Sequence, residues 1–149
     1  DLVLIAPAKS AVNSVDIAKG EWINALKDSY LSVGDPAHVP AGQYAEEALT
    51  KLNLWDKVQD RLARAKDVRG ALALVERAEA PYGIVYSTDA KVSQQVKTVA
   101  VFPADSHKPV VYPVSIVKGH DNADSRDFLK YLESDAAKKV LVGYGFSAK

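Results

Sequence analysis

The sequence contains neither cysteine nor methionine. Without cysteine the chain has no disulfide and no thiolate, which excludes disulfide-stapled scaffolds and thiol catalysis and leaves the cellular compartment open. No apolar run approaches the roughly 20 residues that a membrane-spanning helix needs, and no signal-peptide pattern opens the chain. A chain that begins at Asp1 without a methionine is expected to have been processed or cut from a longer one.

An excess of either charge is missing as well. The 149 residues include 19 basic and 19 acidic side chains, and neither sign forms a run or patch. This balance excludes a general nucleic-acid binder and a protein that binds anionic membranes through a basic surface. With 48% hydrophobic and 26% charged residues, the composition is that of an ordinary globular protein with one sizeable core.

Recognisable catalytic motifs are also absent. The sequence has no Walker loop, no GxGxxG fingerprint and no GxSxG nucleophile elbow. His38, His107 and His120 lack metal-ligand spacing, so solvated loop histidines are the favoured interpretation. Ser87 and Thr88 have no histidine near them in sequence to activate a hydroxyl. We therefore predict a protein that is not an enzyme and that needs no cofactor.

Short apolar β runs alternate with segments of helical periodicity. The predicted strands are residues 2–5, 31–33, 83–86, 98–102 and 110–117, the last interrupted by Pro113. The predicted helices are residues 17–26, 40–52, 55–62, 68–80, 124–132 and 135–142. This alternation indicates an α/β domain with a largely parallel sheet.

One predicted helix begins without a side-chain cap. Pro40 suits the first helical position, because its fixed φ fits and its missing N–H needs no partner there. The next amides, on Ala41 and Gly42, do need partners, and no Ser, Thr, Asn or Asp immediately precedes the proline. Free N–H groups and the partial positive charge of a helix start suit an anion, and the small side chains would let it approach.

Two further positions are candidates for a binding site. Val68 begins a predicted helix behind Asp67, whose carboxylate is able to cap the N2 or N3 amide by itself, so capping alone is the favoured interpretation. Tyr86 ends a predicted strand, and ligands of open α/β sheets bind beyond the carboxyl ends of strands. For Tyr86 taken alone, a core tyrosine bonded to a carbonyl is the favoured interpretation.

Four long segments occur together in one order: VGDPAHVPAGQYAEEAL (33–49), DVRGALALVERAEAPYGIVYSTDA (67–90), FPADSHKPVVYPVSIVKG (102–119) and FLKYLESDAAKKVLVGYGF (128–146). Over essentially the whole chain this combination closely resembles the periplasmic molybdate-binding proteins of bacterial ABC transporters. The resemblance implies a type II periplasmic binding protein of two lobes that closes over a tetrahedral oxyanion, molybdate or tungstate. Such proteins hold the ligand through main-chain amides, serine hydroxyls and one tyrosine hydroxyl, without a cationic side chain.

The matching motifs imply particular ligand contacts in this chain. The amides of Ala41 and Val68 and the hydroxyl of Tyr86 would bind the oxygens of molybdate, so molybdenum would be present only as molybdate. Supporting positions are Pro40, Gly42 and Asp67. Residues 1–110 would form the second lobe, starting at the crossover strand. Residues 111–149 would supply the return crossover strand and the C-terminal helices of the first lobe, most of which is absent together with its serine ligands.

The resemblance implies capture of molybdate or tungstate in the periplasm and delivery to the membrane permease of an ABC transporter, with no nucleic-acid partner. Because residues 110–117 and the last two helices would expose apolar faces, we also expect a domain-swapped or otherwise associated homodimer. One alternative is a binding protein for another tetrahedral oxyanion such as sulfate. The other is the effector-sensing domain of a transcription regulator, since such domains share the two-lobed fold.

Overall fold

Five strands form a single mixed sheet in the computed structural model, which describes residues 1–147. In chain order they are β1 (Leu2–Pro7), β2 (Leu31–Gly34), β3 (Leu62–Ala65), β4 (Tyr82–Tyr86) and β5 (Val96–Val101). Across the sheet the order is β3-β2-β4-β1-β5. β2 is parallel to β3 and β4, whereas β1 is antiparallel to β4 and β5. The predicted α/β fold, a mixed, largely parallel sheet flanked by helices, is confirmed.

The helices follow the strands or lie towards the end of the chain. They are α1 (Pro40–Lys51), α2 (Trp55–Val58), α3 (Val68–Glu76), α4 (Ser87–Val92), α5 (Ala123–Leu132) and α6 (Asp135–Gly143), with 3₁₀ helices at Glu21–Leu26 and Gln59–Arg61. The sequence analysis predicted the bounds of α1, α5 and α6 to within one residue, and it predicted the first residue of α3.

The sheet is buried on both faces, because successive side chains of a strand point to opposite sides. In β1, Leu2 and Leu4 join one hydrophobic cluster, and Val3 and Ile5 join the other. α1 covers the first face with Ala45, Ala48 and Leu49. α3 covers the second face with Ala71, Leu72 and Val75. The starts of α1 and α3 are thereby held on opposite sides of the same sheet.

Two elements of the sheet region were not predicted. The segment predicted as one helix, residues 55–62, consists of α2 followed by a 3₁₀ helix, and its last residue, Leu62, begins β3. β3 has the sequence Leu-Ala-Arg-Ala and is an outermost strand of the sheet. It therefore lacks the apolar run that marks a buried strand. α4 has only six residues, too few to show helical periodicity. In the predicted helix at residues 17–26, only Glu21–Leu26 is helical, as a 3₁₀ helix.

The chain divides into two compact units, Asp1–Pro109 and Val110–Lys149. Within the second unit, α5 begins with a capping box: Asn122 Oδ1 accepts from the Ser125 amide at 3.0 Å, and Ser125 Oγ accepts from the Asn122 amide at 3.1 Å. Ser134 caps α6 by accepting from the Ala137 amide at 3.3 Å. Both helices therefore begin at strong local signals.

The predicted strand at residues 110–117 is wrong. In the described part of the chain this segment is neither strand nor helix, and most of its large side chains are exposed, among them Val111, Tyr112 and Val114. Pro113 has no N–H to donate, and within residues 1–147 no strand pairs with this segment. The predicted return crossover strand of residues 111–149 is therefore not formed. Assignment of residues 1–110 and 111–149 to two lobes stays a prediction.

Candidate functional site

The carboxyl ends of three neighbouring strands meet at one edge of the sheet. β3, β2 and β4 are adjacent and parallel, so the elements that follow them, α3, α1 and α4, all begin at this edge. Adjacent strands lie about 4.8 Å apart, so the three ends are close neighbours. The fold thus brings Ala41, Val68 and Tyr86 to the edge at which open α/β sheets bind their ligands. We call it the carboxyl edge.

The start of α1 has free amides and no cap. Val39 is the N-cap residue but makes no side-chain cap hydrogen bond, and Pro40 occupies the first helical position, as predicted. The first helical hydrogen bond runs from the Gln43 amide to the Val39 carbonyl at 3.0 Å. The amides of Ala41 and Gly42 donate to no other atom of residues 1–147. Two backbone donors are thus available at the carboxyl edge.

Gly42 is required by packing. A Cβ at Gly42 would lie 2.0 Å from the Gly34 carbonyl oxygen and 2.9 Å from the Pro36 nitrogen. α1 therefore lies directly against the end of β2, a contact that only glycine permits. The helix–strand contact alone explains why position 42 is glycine. The prediction that small side chains here let an anion approach is not needed for that explanation.

The loop between β2 and α1 is fastened to the end of β3. The Asp35 amide donates to the Ala65 carbonyl at 2.8 Å, and Asp35 Oδ1 accepts from the Ala37 amide at 3.0 Å. Arg64 Nη1 lies 3.3 Å from the same carboxylate. The hydrogen bond from Ala37, with the Arg64 guanidinium, lowers the pKa of Asp35. These contacts fix the approach to α1 relative to the strand that leads into α3.

The start of α3 is only partly capped. Asp67 is the N-cap, and its Oδ1 accepts from the Gly70 amide at 2.7 Å, which confirms the predicted capping role. The Ala71 amide donates to the Asp67 carbonyl at 3.2 Å. The earlier amides, on Val68 and Arg69, donate to no atom in the described part of the chain. Capping therefore accounts for one amide of the first turn and leaves that of Val68 available.

Tyr86 belongs to an aromatic cluster that sequence reasoning did not identify. It is half-buried at the end of β4, and its ring centroid lies 6.5 Å from that of Tyr44, one turn into α1. The Tyr44 ring in turn lies 5.7 Å from the ring of His107. His107 is half-buried and is not the solvated loop histidine that the sequence favoured. No sequence motif links these positions, which only the fold brings together.

A buried carboxylate lies beside the same edge. Asp89, in the first turn of α4, is 5% exposed, and its Oδ1 lies 2.9 Å from Nε of Arg69, the second residue of α3. Burial raises the pKa of Asp89, while the Arg69 guanidinium and a hydrogen bond from the Tyr86 backbone amide act against that rise. Its other oxygen, Oδ2, has no hydrogen-bond partner among the described residues. No sequence pattern predicts this pair.

The second unit contains a cavity of a different kind. Its volume is about 460 Å³ and its lining is mostly apolar, formed by Val114, Ser115, Ile116, Val117, His120, Ser125, Phe128, Leu129 and Leu132. Ser125 Oγ is already engaged in the capping box and with the His120 carbonyl. An oxyanion needs several converging donors, so this cavity does not match that chemistry.

Residues 1–147 offer neither a cluster of metal ligands nor a membrane-spanning helix. This part of the chain contains no group of three or more histidine, aspartate or glutamate side chains arranged to hold a metal ion. None of its helices has the length and apolar character needed to cross a bilayer. The donors available at the carboxyl edge are backbone amides of two helix starts, which suit an anion.

The sheet order and the helix starts at the carboxyl edge define an α/β fold of the periplasmic binding protein type. Over residues 1–147 the chain matches the family described as bacterial extracellular solute-binding protein, and it belongs to that family. The fold agrees with a solved structure described as the substrate binding domain of a putative molybdenum ABC transporter from Clostridium difficile. That match has a TM-score of 0.81 at 37% identity and covers 100% of this chain and 63% of that one.

Curated relatives include proteins named molybdate-binding protein ModA. The Haemophilus influenzae protein is 99% identical over 149 residues, covering 100% of this chain, and the Escherichia coli protein is 53% identical, covering 99%. The chain spans 59% and 58% of the length of these two relatives. The Azotobacter vinelandii periplasmic molybdate-binding protein shares the fold, with a TM-score of 0.72 at 20% identity over 99% of this chain and 64% of its own.

Proposed function

We propose that the chain contributes to a binding site for molybdate, and equally for tungstate, at the carboxyl edge. The amides of Ala41 and Val68 and the hydroxyl of Tyr86 bind the oxyanion. The observation that carries the proposal is the meeting of two helix starts with available amides and one tyrosine at the ends of three adjacent parallel strands. Both curated relatives described above carry the name molybdate-binding protein, which supports the choice of ligand.

Supporting residues have defined roles in this proposal. Pro40 starts α1 without needing a donor partner, and Gly42 lets the helix lie against β2, so together they aim the Ala41 amide at the edge. Asp67 removes the Gly70 amide from the available set and leaves that of Val68 free to donate. Tyr44 packs edge-on against Tyr86 and limits the motion of its ring.

The physical basis is binding of a dianion by neutral donors. Removing a dianion from water costs several kcal/mol or more. Each charge-assisted hydrogen bond returns about 1.5–3 kcal/mol, and each helix start adds about 0.3–1 kcal/mol. Several donors must therefore converge, and three positions of this chain supply only part of the set. The remaining donors come from outside this segment in our proposal, since the named relatives are considerably longer.

An all-donor site also discriminates among oxyanions. A protonated phosphate would direct its O–H against a donor and leave a buried clash of hydrogens. Sulfate presents only acceptors, so it must be rejected by size, because its shorter bonds do not reach every donor at once. Molybdate and tungstate share charge and geometry, and we expect the site to bind both.

At the level of the whole protein, we propose capture of the oxyanion in the periplasm and delivery to the membrane permease of an ABC transporter, without catalysis and without a cofactor. Closure of two lobes on the ligand would shift the population that the permease binds. Residues 1–110 belong to the second lobe in this proposal, and residues 111–149 to the first. As an isolated segment the chain would associate as a homodimer through the exposed apolar side chains of the second unit.

The proposal is tested by calorimetric titration with molybdate, with sulfate as the competing anion. The test protein is the full-length Haemophilus influenzae relative with its matched segment replaced by this chain, which we call the full-length test protein. Tyr86→Phe should weaken molybdate binding by about 1–3 kcal/mol, because it removes one hydrogen bond to a charged ligand. Tyr30→Phe is the matched control, because Tyr30 is 57% exposed in the same unit.

Equal affinity of Tyr86→Phe and the parent protein would return Tyr86 to the role of a core tyrosine. Tighter binding of sulfate than of molybdate would assign the site to the alternative oxyanion. The same titration on the 149-residue chain alone should give weak or undetectable heat, since part of the donor set is missing from this segment.

A further inference from the structure

The burial of Asp89 is not explained by the stability of the fold. Its side chain is 7% exposed, whereas its partner Arg69 is 63% exposed. Moving a carboxylate out of water is costly, and a pair with one solvated member recovers little of that cost. α3 is already capped by Asp67, and α4 has only six residues. A buried charge with an unpartnered oxygen in such a place indicates a role other than stability.

The ion pair joins two segments that carry candidate ligand groups. On one side, Arg69 directly follows Val68, so the guanidinium stem is attached to the first turn of α3. On the other side, Asp89 lies in the first turn of α4, and Tyr86, the last residue of β4, is the N-cap residue of that helix. α3 and α4 pack against each other, and the 2.9 Å contact from Arg69 Nε to Asp89 Oδ1 lies between their first turns.

We propose that Arg69 and Asp89 form a positioning pair that holds the Val68 amide and Tyr86 at a fixed separation. This inference rests on the proposed function and assigns two further residues to the same site. Neither side chain touches the oxyanion. Asp89 also neutralises the guanidinium of Arg69, so the start of α3 offers amides without a free cation.

A positioning role of Arg69 can be distinguished from an effect of its charge alone. If Arg69 acted only through its charge, Arg69→Lys would bind molybdate like the parent protein, and added salt would abolish the effect of Arg69→Gln. A positioning role requires the planar guanidinium, whose Nε is held by the carboxylate, so Arg69→Lys should lose most of the affinity that Arg69→Gln loses. Arg69 is exposed, and we expect both variants to fold.

The experiment is titration of the full-length test protein with molybdate. Arg69→Gln and Asp89→Ala should each weaken binding on the order of tenfold, as loss of the hydrogen-bonded partners behind ligand groups does elsewhere. Arg77→Gln is the matched control. It removes an arginine–carboxylate contact of 2.7 Å, to Glu79, just beyond the last residue of the same helix.

A double-mutant cycle supplies the decisive measurement. If Asp89 acts by positioning Tyr86, Asp89→Ala should weaken binding much less in a Tyr86→Phe background than in the parent protein. Additive effects would overturn the inference, as would parent-like affinity of Arg69→Gln and Asp89→Ala. Failure of the parent protein itself to bind molybdate would instead overturn the proposed function, so the two failures are distinguishable.

Discussion

The two units of this chain differ in how they bury apolar side chains. In Asp1–Pro109, β1 lies between two partner strands and under helices on both faces, and its side chains at Leu2 and Leu4 are fully buried. In Val110–Lys149, α5 and α6 are well formed, yet Phe128 and Tyr144 are each 62% exposed. Ala137 is the one hydrophobic side chain classed as buried in the described part of this unit.

The difference separates two kinds of information in a sequence. Capping and helical periodicity are local, and they specify α5 and α6 without reference to the rest of the chain. Burial is not local, because a strand or an apolar helix face needs a partner surface supplied by distant residues. Four predictions test this contrast, in order of decreasing effect on the free energy of unfolding.

The largest effect is expected from a cavity in the sheet core. Leu4→Ala should lower the free energy of unfolding of the 149-residue chain by about 2–5 kcal/mol, because the site cannot collapse around the missing atoms. Val140→Ala in α6 should change it by less than about 0.5 kcal/mol, because Val140 is 56% exposed. Urea unfolding followed by circular dichroism measures both. Similar losses for the two variants would show that the second unit has a core of its own.

Replacing two glycines by alanine should change stability in opposite directions. Gly42→Ala should cost about 1–3 kcal/mol, because the new Cβ would lie 2.0 Å from the Gly34 carbonyl oxygen. Gly143→Ala, where nothing lies within 4 Å of the added Cβ, should stabilise α6 by about 0.5–1 kcal/mol. The measurement is urea unfolding for Gly42→Ala and amide hydrogen exchange of α6 for Gly143→Ala. A neutral Gly42→Ala would contradict the close approach of α1 to β2.

Removal of an N-cap should destabilise its helix by a similar amount in the two units, because caps act locally. Asp67→Ala and Asn122→Ala each remove an N-cap acceptor and should each cost about 1 kcal/mol. Hydrogen exchange of α3 and α5 reports the two helices separately. Ser29→Ala serves as the control, since Ser29 lies in neither helix. A loss confined to α3 would mean that the capping box of α5 contributes nothing by itself.

The smallest effect on unfolding is expected at the exposed aromatic side chains. Phe128→Gln should leave the free energy of unfolding within about 0.5 kcal/mol of the parent value, because the side chain is already 62% exposed. The same change should reduce association of the chain, measured by light scattering over a range of concentrations. A parent chain that is monomeric at every concentration would remove the basis for the proposed homodimer.

Much of the fold was predictable because its signals are short-range. The uncapped start at Pro40, the cap at Asp67 and the apolar run of β1 are each readable within a few residues. β3 was missed because an edge strand has no apolar run, and residues 110–117 were wrongly assigned because an apolar run does not reveal whether a partner strand exists.

The candidate site divides in the same way. Helix starts at Ala41 and Val68 could be predicted from sequence, since an available amide is a property of one turn. The contact of Tyr44 with Tyr86 and the ion pair of Arg69 with Asp89 could not be, because each joins residues from different elements. Among the residues proposed to touch the ligand, Ala41 was indicated by its own uncapped helix start, whereas Val68 and Tyr86 were assigned through the family resemblance. The residues that fix their geometry were not predicted.

The central place of β1 has a consequence for folding. Leu2 pairs with Tyr86 and Val3 with Val101. β1 therefore pairs only with β4 and β5, which follow it late in the same unit. During synthesis from the N-terminus, an apolar segment that reads Leu-Val-Leu-Ile-Ala-Pro is therefore without its native partners until β5 has been made. Such late, long-range pairing slows folding and leaves the nascent chain open to aggregation. A fragment that ends between Tyr86 and Val96 should be insoluble for this reason, even though it would contain every ligand group proposed here.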